Sequence, residues 1–163
     1  MAEEQARPAK ENAEENKIHL TIVTPRGVKF TEKADMIIMR CVDGDLGVLP
    51  GHAPLTAALG DGIFRIFNNG VEKKLAVFGG IAEIDDRTVN IYSTIAQRPE
   101  EIDREQAEMD RREVEATILE ESEEHQVRRL RVLLHHALIR IEVSSHLEEA
   151  EYLKYEEEKE DDE

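Results

Sequence analysis

Gly44-Asp45-Leu46-Gly47-Val48-Leu49-Pro50-Gly51-His52-Ala53-Pro54-Leu55 packs three glycines and two prolines into twelve residues between two strand-like runs. A helix interior loses about 1 kcal/mol per Gly and about 3 kcal/mol per Pro, so this stretch is not helical. Its glycines open backbone angles that other residues avoid, while Pro50 and Pro54 fix φ and remove amide donors. The segment therefore prescribes one loop shape on a sheet. Working outward, Ile18-His19-Leu20-Thr21-Ile22 alternates at period two, and Pro25-Arg26-Gly27 reads as a turn. Val28–Phe30 and Met36–Val42 follow as strands, the second apolar enough to be covered on both faces. Ile63–Phe67 and Val71–Phe78 flank Asn68-Asn69-Gly70 as a hairpin, and Gly79–Ile84 and Thr88–Tyr92 flank Asp85-Asp86-Arg87 as another. Short strands at this spacing predict a β-sandwich.

At Pro99 the pattern changes to helix, with Glu100, Glu101 and Asp103 placed where the helix dipole favours acids. This first helix is expected to reach about Leu119. Its apolar residues scatter around the wheel, so it needs a partner. Ser122 offers an N-cap for a second helix. Val127, Leu130, Leu133, Leu134, Ala137, Leu138 and Ile141 give that helix one continuous apolar face. The fold class is thus α+β in sequence order, an N-terminal antiparallel β-sandwich followed by a C-terminal two-helix antiparallel hairpin. The expected divisions are a disordered acidic extension at 1–16, the sandwich at 17–97, the hairpin at 98–146 and a frayed acidic tail at 147–163.

Charge follows the same divisions. The formal net charge of −16 falls mostly outside the sandwich, whose nine acids balance nine bases, whereas residues 147–163 hold ten acids and two bases. A neutral body with acidic ends lacks the basic footprint that nucleic-acid binding requires. No apolar run approaches the roughly 20 residues of a membrane span, which argues against direct membrane insertion. The acidic N-terminus lacks the apolar core of a secretory signal. Cys41, the only cysteine, sits in an apolar run and reads as a small buried hydrophobe in a reducing compartment.

The loop pattern, the segment Val77-Phe78-Gly79-Gly80-Ile81 and the order of parts over residues 17 to about 146 resemble the epsilon family of F-type ATP synthases. The resemblance implies a non-catalytic rotor subunit of the central stalk, with the gamma subunit, the c ring and the alpha and beta subunits as partners. It would couple gamma to the c ring during ATP synthesis driven by a proton or sodium gradient. It implies a peripheral location on the cytoplasmic face of a bacterial inner membrane, through the complex. The docking loop would comprise Asp45, Leu46, Gly47, Pro50, Gly51, His52 and Pro54, with Asp45 toward the c ring. Local turn bonding is the alternative role for Asp45 and His52. The family's hairpin moves between a state folded on the sandwich and an extended state that inhibits ATP hydrolysis. Arg128, Arg129, Arg131 and Arg140 would serve that hairpin, the first three against acidic catalytic-subunit loops or as an ordinary solvated face.

Some members of the family bind ATP through an Ile/Leu-Asp-x-x-Arg-Ala motif and arginines on the second helix. Here Ile102, Asp103 and Ala107 match, Gln106 stands where Arg is expected, and on the second helix Arg140 matches while His136 replaces the other arginine. The missing guanidinium groups remove bidentate phosphate contacts, so weak or absent ATP binding and no cofactor are expected. No phosphate-cradling Gly-x-x-x-x-Gly-Lys-Ser/Thr run occurs. His135 and His136, about 100° apart on a helix, cannot share one metal, and with His146 they read as surface or interface histidines. The competing class is an unrelated β-sandwich binding module with a helical oligomerisation tail.

Overall fold

The computed structural model describes residues 16–160, so the extension expected to be disordered lies outside the described residues except for Asn16. Eight strands come first: β1 (Ile18–Thr24), β2 (Gly27–Ala34), β3 (Met36–Cys41), β4 (Gly44–Val48), β5 (Leu55–Asn68), β6 (Val71–Asp85), β7 (Thr88–Tyr92) and β8 (Ile95–Gln97). A 3-10 turn (Pro99–Glu101), α1 (Arg104–Glu120) and α2 (Glu124–Glu160) complete the chain. The strand order is β2-β1-β7-β6-β5-β3-β4, with β8 also paired to β6. The β-sandwich followed by two helices is therefore present, with one departure from all-antiparallel pairing. β1 pairs with β7 in parallel, Leu20 beside Val89 and Ile22 beside Ile91. Hairpin signals report only neighbours in sequence, so a pairing across sixty-odd residues left no local mark.

The sandwich core takes alternate residues from nearly every strand. Ile18, Leu20 and Ile22 of β1, Ile37 and Met39 of β3, Phe64 and Ile66 of β5 and Val89 and Ile91 of β7 are all buried in it. Met36–Val42 was expected to be covered on both faces; instead β3 alternates, because only Ile37 and Met39 point into the core. β6 is different. Leu75, Ala76, Val77 and Phe78 are consecutive and all buried. Leu75 and Val77 enter the sandwich core, while Ala76 and Phe78 join a second cluster with Ile139 and Val143 of α2. Period-two geometry makes this possible, since successive side chains leave a strand on opposite faces.

Gly79 and Gly80 do not begin a new hairpin strand. They lie inside β6, where it stops pairing with β8 (Phe78 beside Ile95) and starts pairing with β7 (Ile81 beside Tyr92). Both have positive φ, +64° and +121°, and β5 pairs with β6 on either side of them. This is the corner that folds one long strand across the sandwich. A Cβ on Gly80 would meet the Tyr92 carbonyl oxygen at 2.1 Å.

The helices also depart from the expected bounds. Pro99 starts the 3-10 turn, and α1 begins only after Asp103, whose carboxylate accepts the Gln106 amide at 3.0 Å as an N-cap. Ser122 is not the cap of α2; its amide and that of Glu123 both donate to the Glu121 carboxylate at 2.9 Å. The acidic tail, expected to fray from Glu148, continues α2 to Glu160. That run holds no Gly or Pro, and seven of its thirteen residues to Glu160 are Glu and two are Lys, both good helix formers.

Gly80→Ala is expected to lower the unfolding free energy by roughly 3 kcal/mol or more, from positive φ and the carbonyl clash together. Gly47→Ala, with open space at its Cβ, serves as the control and should cost no more than about 1 kcal/mol. Urea unfolding of the two variants checks this; equal midpoints would remove the corner from the account.

Candidate functional site

Two regions carry the residues singled out in the sequence. The first is the loop at the end of β4. Its opening half is strand rather than loop, because Gly44 to Val48 pair with Cys41 to Ile37 of β3. The turn proper is Leu49-Pro50-Gly51-His52, closed by the His52 amide donating to the Leu49 carbonyl at 3.2 Å. Pro50 supplies the fixed φ of the second position and Gly51 the positive φ (+85°) of the third, as a type II turn demands. The Gly51 amide donates to the Asp86 carbonyl at 2.7 Å and ties the turn to the β6–β7 connection. His52 keeps its ring local, with Nδ1 2.7 Å from the Ala53 carbonyl.

Asp45 lies on β4, directly across from Arg40 of β3, and the two form an exposed ion pair at 3.1 Å. Such a pair contributes at most about 1 kcal/mol, so a partner can displace it. Leu46 points the other way and packs on the sandwich core. Val42, Leu49, Leu55 and Pro54 remain exposed at this end, which gives the loop an apolar outer surface. Partial burial, then the Asp43 and Asp45 carboxylates, push the Cys41 thiol up, so it is not poised as a nucleophile.

The second region is the seat of the helical hairpin. Ile139 and Val143 of α2 rest on Ala76 and Phe78 of β6, with Ile63 and Ile102 half-buried at the margin. Polar contacts surround this small core. The His136 ring stands 4.4 Å from the Phe78 ring and its Nε2 lies 2.7 Å from the Asp61 carboxylate. The Arg140 guanidinium lies over the same Phe78 ring at 4.7 Å and donates through Nε to Gln97 at 2.8 Å. His135 Nε2 sits 3.3 Å from the Asp61 carbonyl oxygen, and His146 Nε2 donates to the Glu72 carbonyl at 2.9 Å. A hydrogen bond from Arg65 holds the Glu72 carboxyl below the usual carboxylate range, despite partial burial. Glu101 in the 3-10 turn behaves alike: burial raises it, but the Arg98 amide and Lys29 outweigh burial and lower it. Lys29 and Glu101 thereby clip the start of the hairpin to β2.

The grouping Ile102, Asp103, Gln106, Ala107 and Arg140 is divided between separate tasks. Asp103 caps α1, the Gln106 side chain donates to Asp110 at 2.7 Å, and Ala107 is buried. Arg140 is committed to Gln97 and Phe78 instead. Arg128 pairs with Glu124 one turn away at 2.7 Å, and Arg129 and Arg131 are exposed. The apolar face expected on the second helix is also not the one that docks. Leu133 and Leu138 are exposed, while Ile139 and Val143, outside that stripe, meet the sheet. Sequence reading missed Asp61, Phe78 and Gln97 as the hairpin's receptors. The available signal was His136, Ile139, Arg140 and Val143 at i, i+3, i+4 and i+7, a second stripe that polar residues disguised.

Residues 17–99 match the family described as ATP synthase, Delta/Epsilon chain, beta-sandwich domain. The chain is 36% identical over 125 residues to an ATP synthase epsilon chain of Desulforamulus reducens, covering 77% of this chain and 95% of that one. It is 33% identical over 138 residues to an ATP synthase epsilon chain of Pediococcus pentosaceus, covering 82% of this chain and 99% of that one. Among solved structures it resembles a chain in the mitochondrial ATP synthase of Euglena gracilis, an assembly of OSCP, F1 and c ring. The TM-score there is 0.58 at 26% identity, with 83% of this chain and 81% of that one covered.

Proposed function

We propose, for a chain that belongs to the ATP synthase epsilon family, that its sandwich docks the rotor and its hairpin restrains ATP hydrolysis. Membership makes it a non-catalytic subunit of the ATP synthase central stalk. Among the described residues no helix is long and apolar enough to cross a membrane, so its place at the membrane comes through the complex. Its partners are the gamma subunit, the c ring and the alpha and beta subunits, and its site is the cytoplasmic face of a bacterial inner membrane. The loop from Asp45 to Pro54 is the c-ring contact. Its turn, locked by Pro50 and Gly51, loses little conformational entropy on docking, which suits a contact that must carry torque.

The observation that carries the regulatory reading is unequal anchoring. Among the described residues, seventeen buried ones form the sandwich core, against four where the hairpin meets it. Burying one Ile or Val stabilises by roughly 1.5–3 kcal/mol, so Ile139 and Val143 supply only a few kcal/mol to hold the docked state. Release of the helices therefore leaves the sandwich folded. The exposed Arg128, Arg129 and Arg131 become available to acidic surfaces of the catalytic subunits. ATP does not govern this movement strongly, because Gln106 and His136 cannot give bidentate phosphate contacts and Arg140 is already engaged.

Removing residues 99–163 from the assembled enzyme is expected to raise ATP hydrolysis by about fivefold or more, the lower end of common regulatory couplings. Unchanged hydrolysis would reject an inhibitory hairpin. Titration of the full chain with ATP is expected to show no saturation at or below ~1 mM; tighter binding would overturn the argument from Gln106 and His136.

A further inference from the structure

The 3-10 turn between the last strand and α1 is fastened to the sandwich. Just before it, β8 pairs with β6 (Gln97 beside Ala76) and buries Ala96 in the sandwich core. The Arg98 guanidinium lies 5.2 Å from the centre of the Phe30 ring, which packs on that core. Its Nη2 donates to the Lys29 carbonyl at 3.1 Å, and the Lys29 ammonium pairs with Glu101 at 2.5 Å. We propose that this turn stays on the sandwich as a fixed collar and that the hairpin pivots on the one peptide link between Ile102 and Asp103. The proposal rests on the reading of the hairpin as releasable.

Hydrogen bonds on either side confine the motion to that link. The turn is closed on itself. The Glu101 amide donates to the Arg98 carbonyl at 3.0 Å and the Ile102 amide to the Pro99 carbonyl at 3.2 Å, while the Arg98 amide donates to the Glu101 carboxylate at 2.8 Å. Turning the chain anywhere between Arg98 and the Ile102 amide breaks part of this set. On the other side Asp103 already belongs to α1. Its carbonyl accepts the Ala107 amide and its carboxylate the Gln106 amide, both at 3.0 Å, so turning ψ of Asp103 uncaps the helix. What remains is ψ of Ile102 and φ of Asp103, at 120° and −77° in extended backbone with room to rotate. These two bonds run nearly parallel across a planar trans peptide, so turning them together swings both helices as one body.

Such a swing costs only the seat. It gives up the Arg140–Gln97 and His136–Asp61 contacts and the packing of Ile139 and Val143, and Ile102 leaves the margin of the same small cluster. The collar keeps its own hydrogen bonds. Gln97, on the sandwich side of the collar, stays in place to receive Arg140 when the hairpin returns. The match to the beta-sandwich domain family likewise runs to residue 99, past the end of β8. Proline acts on the link directly. At position 103 it holds φ near −65° and confines residue 102 to extended backbone with ψ of about 120–160°, close to the docked torsions.

A dye-pair distance in the full chain tests the pivot. Cys41→Ser removes the native thiol, Val71→Cys and Arg112→Cys place exposed labels on β6 and α1, and Val143→Ala weakens docking so that both states are populated. In this background Asp103→Pro is expected to lower the undocked-to-docked ratio at least about fivefold relative to Asp103→Ala, because proline penalises a state whose torsions it cannot adopt. Asp103→Ala loses the cap as proline does but leaves the torsions free, so the comparison isolates the link. Separately, without dyes, Lys29→Cys and Glu101→Cys in the Cys41→Ser chain are bridged by a short thiol-reactive linker. Exchange of the α2 amides between His135 and His146 should then stay within about twofold of the unbridged chain, since the collar is closed in both states. A ratio no lower in Asp103→Pro than in Asp103→Ala, or exchange slowed further by the bridge, would overturn the pivot alone. A background that stays docked throughout would overturn it together with the releasable hairpin, so the two failures are told apart.

Discussion

The structure depends on four consecutive residues of β6 being covered on both faces. Leu75 and Val77 complete the sandwich core, and Ala76 and Phe78 give the helical hairpin its only sizeable apolar seat among the described residues. One strand therefore belongs to two cores of very different size. Deleting a buried side chain from a large core typically costs several kcal/mol, but the smaller core has only a few kcal/mol in total. The sandwich stands without the hairpin, while the hairpin without the sandwich is two helices with one modest interface. That asymmetry turns a static arrangement into one part that docks and one part that moves.

Rigidity at the docking end and releasability at the hairpin come from opposite uses of the backbone. At Leu49–His52 a proline and a positive-φ glycine remove alternative loop shapes, and the Gly51–Asp86 hydrogen bond fastens the turn to the neighbouring connection. At Gly79–Gly80 glycine allows β6 to turn a corner and keep pairing with β5. The hairpin has neither device. It is held by side chains: a Phe ring flanked by His136 and Arg140, and an aspartate met by two histidines. Contacts of that kind can be broken and remade without strain elsewhere.

Much of this was legible in the sequence, for identifiable reasons. Alternation in Ile18–Ile22 and turn residues at Asn69-Gly70 gave strands and a hairpin, since period and turn chemistry are local properties. The loop motif and the Gly-Gly-Ile segment carried the family, and the comparisons agree. The parallel β1–β7 pairing and the continuity of β6 through two glycines were not legible, because both are set by strands distant in sequence. The site was read less well than the fold. The obvious stripe from Val127 to Ile141 drew attention to the wrong face of the second helix, because His136 and Arg140 make the docking stripe look polar. Asp61, standing between two glycines on a strand, gave no sign that a helix seventy-five residues later would bind it.

Hydrogen exchange on the isolated full chain tests the central claim most directly. Amides of α2 between His135 and His146 should exchange through an opening whose free energy lies several kcal/mol below that of Leu20, Ile66 or Ile91, whose amides should open only with global unfolding. Equal opening free energies for the helix and these strands would mean one cooperative unit, and would contradict a sandwich that carries a separately releasable hairpin.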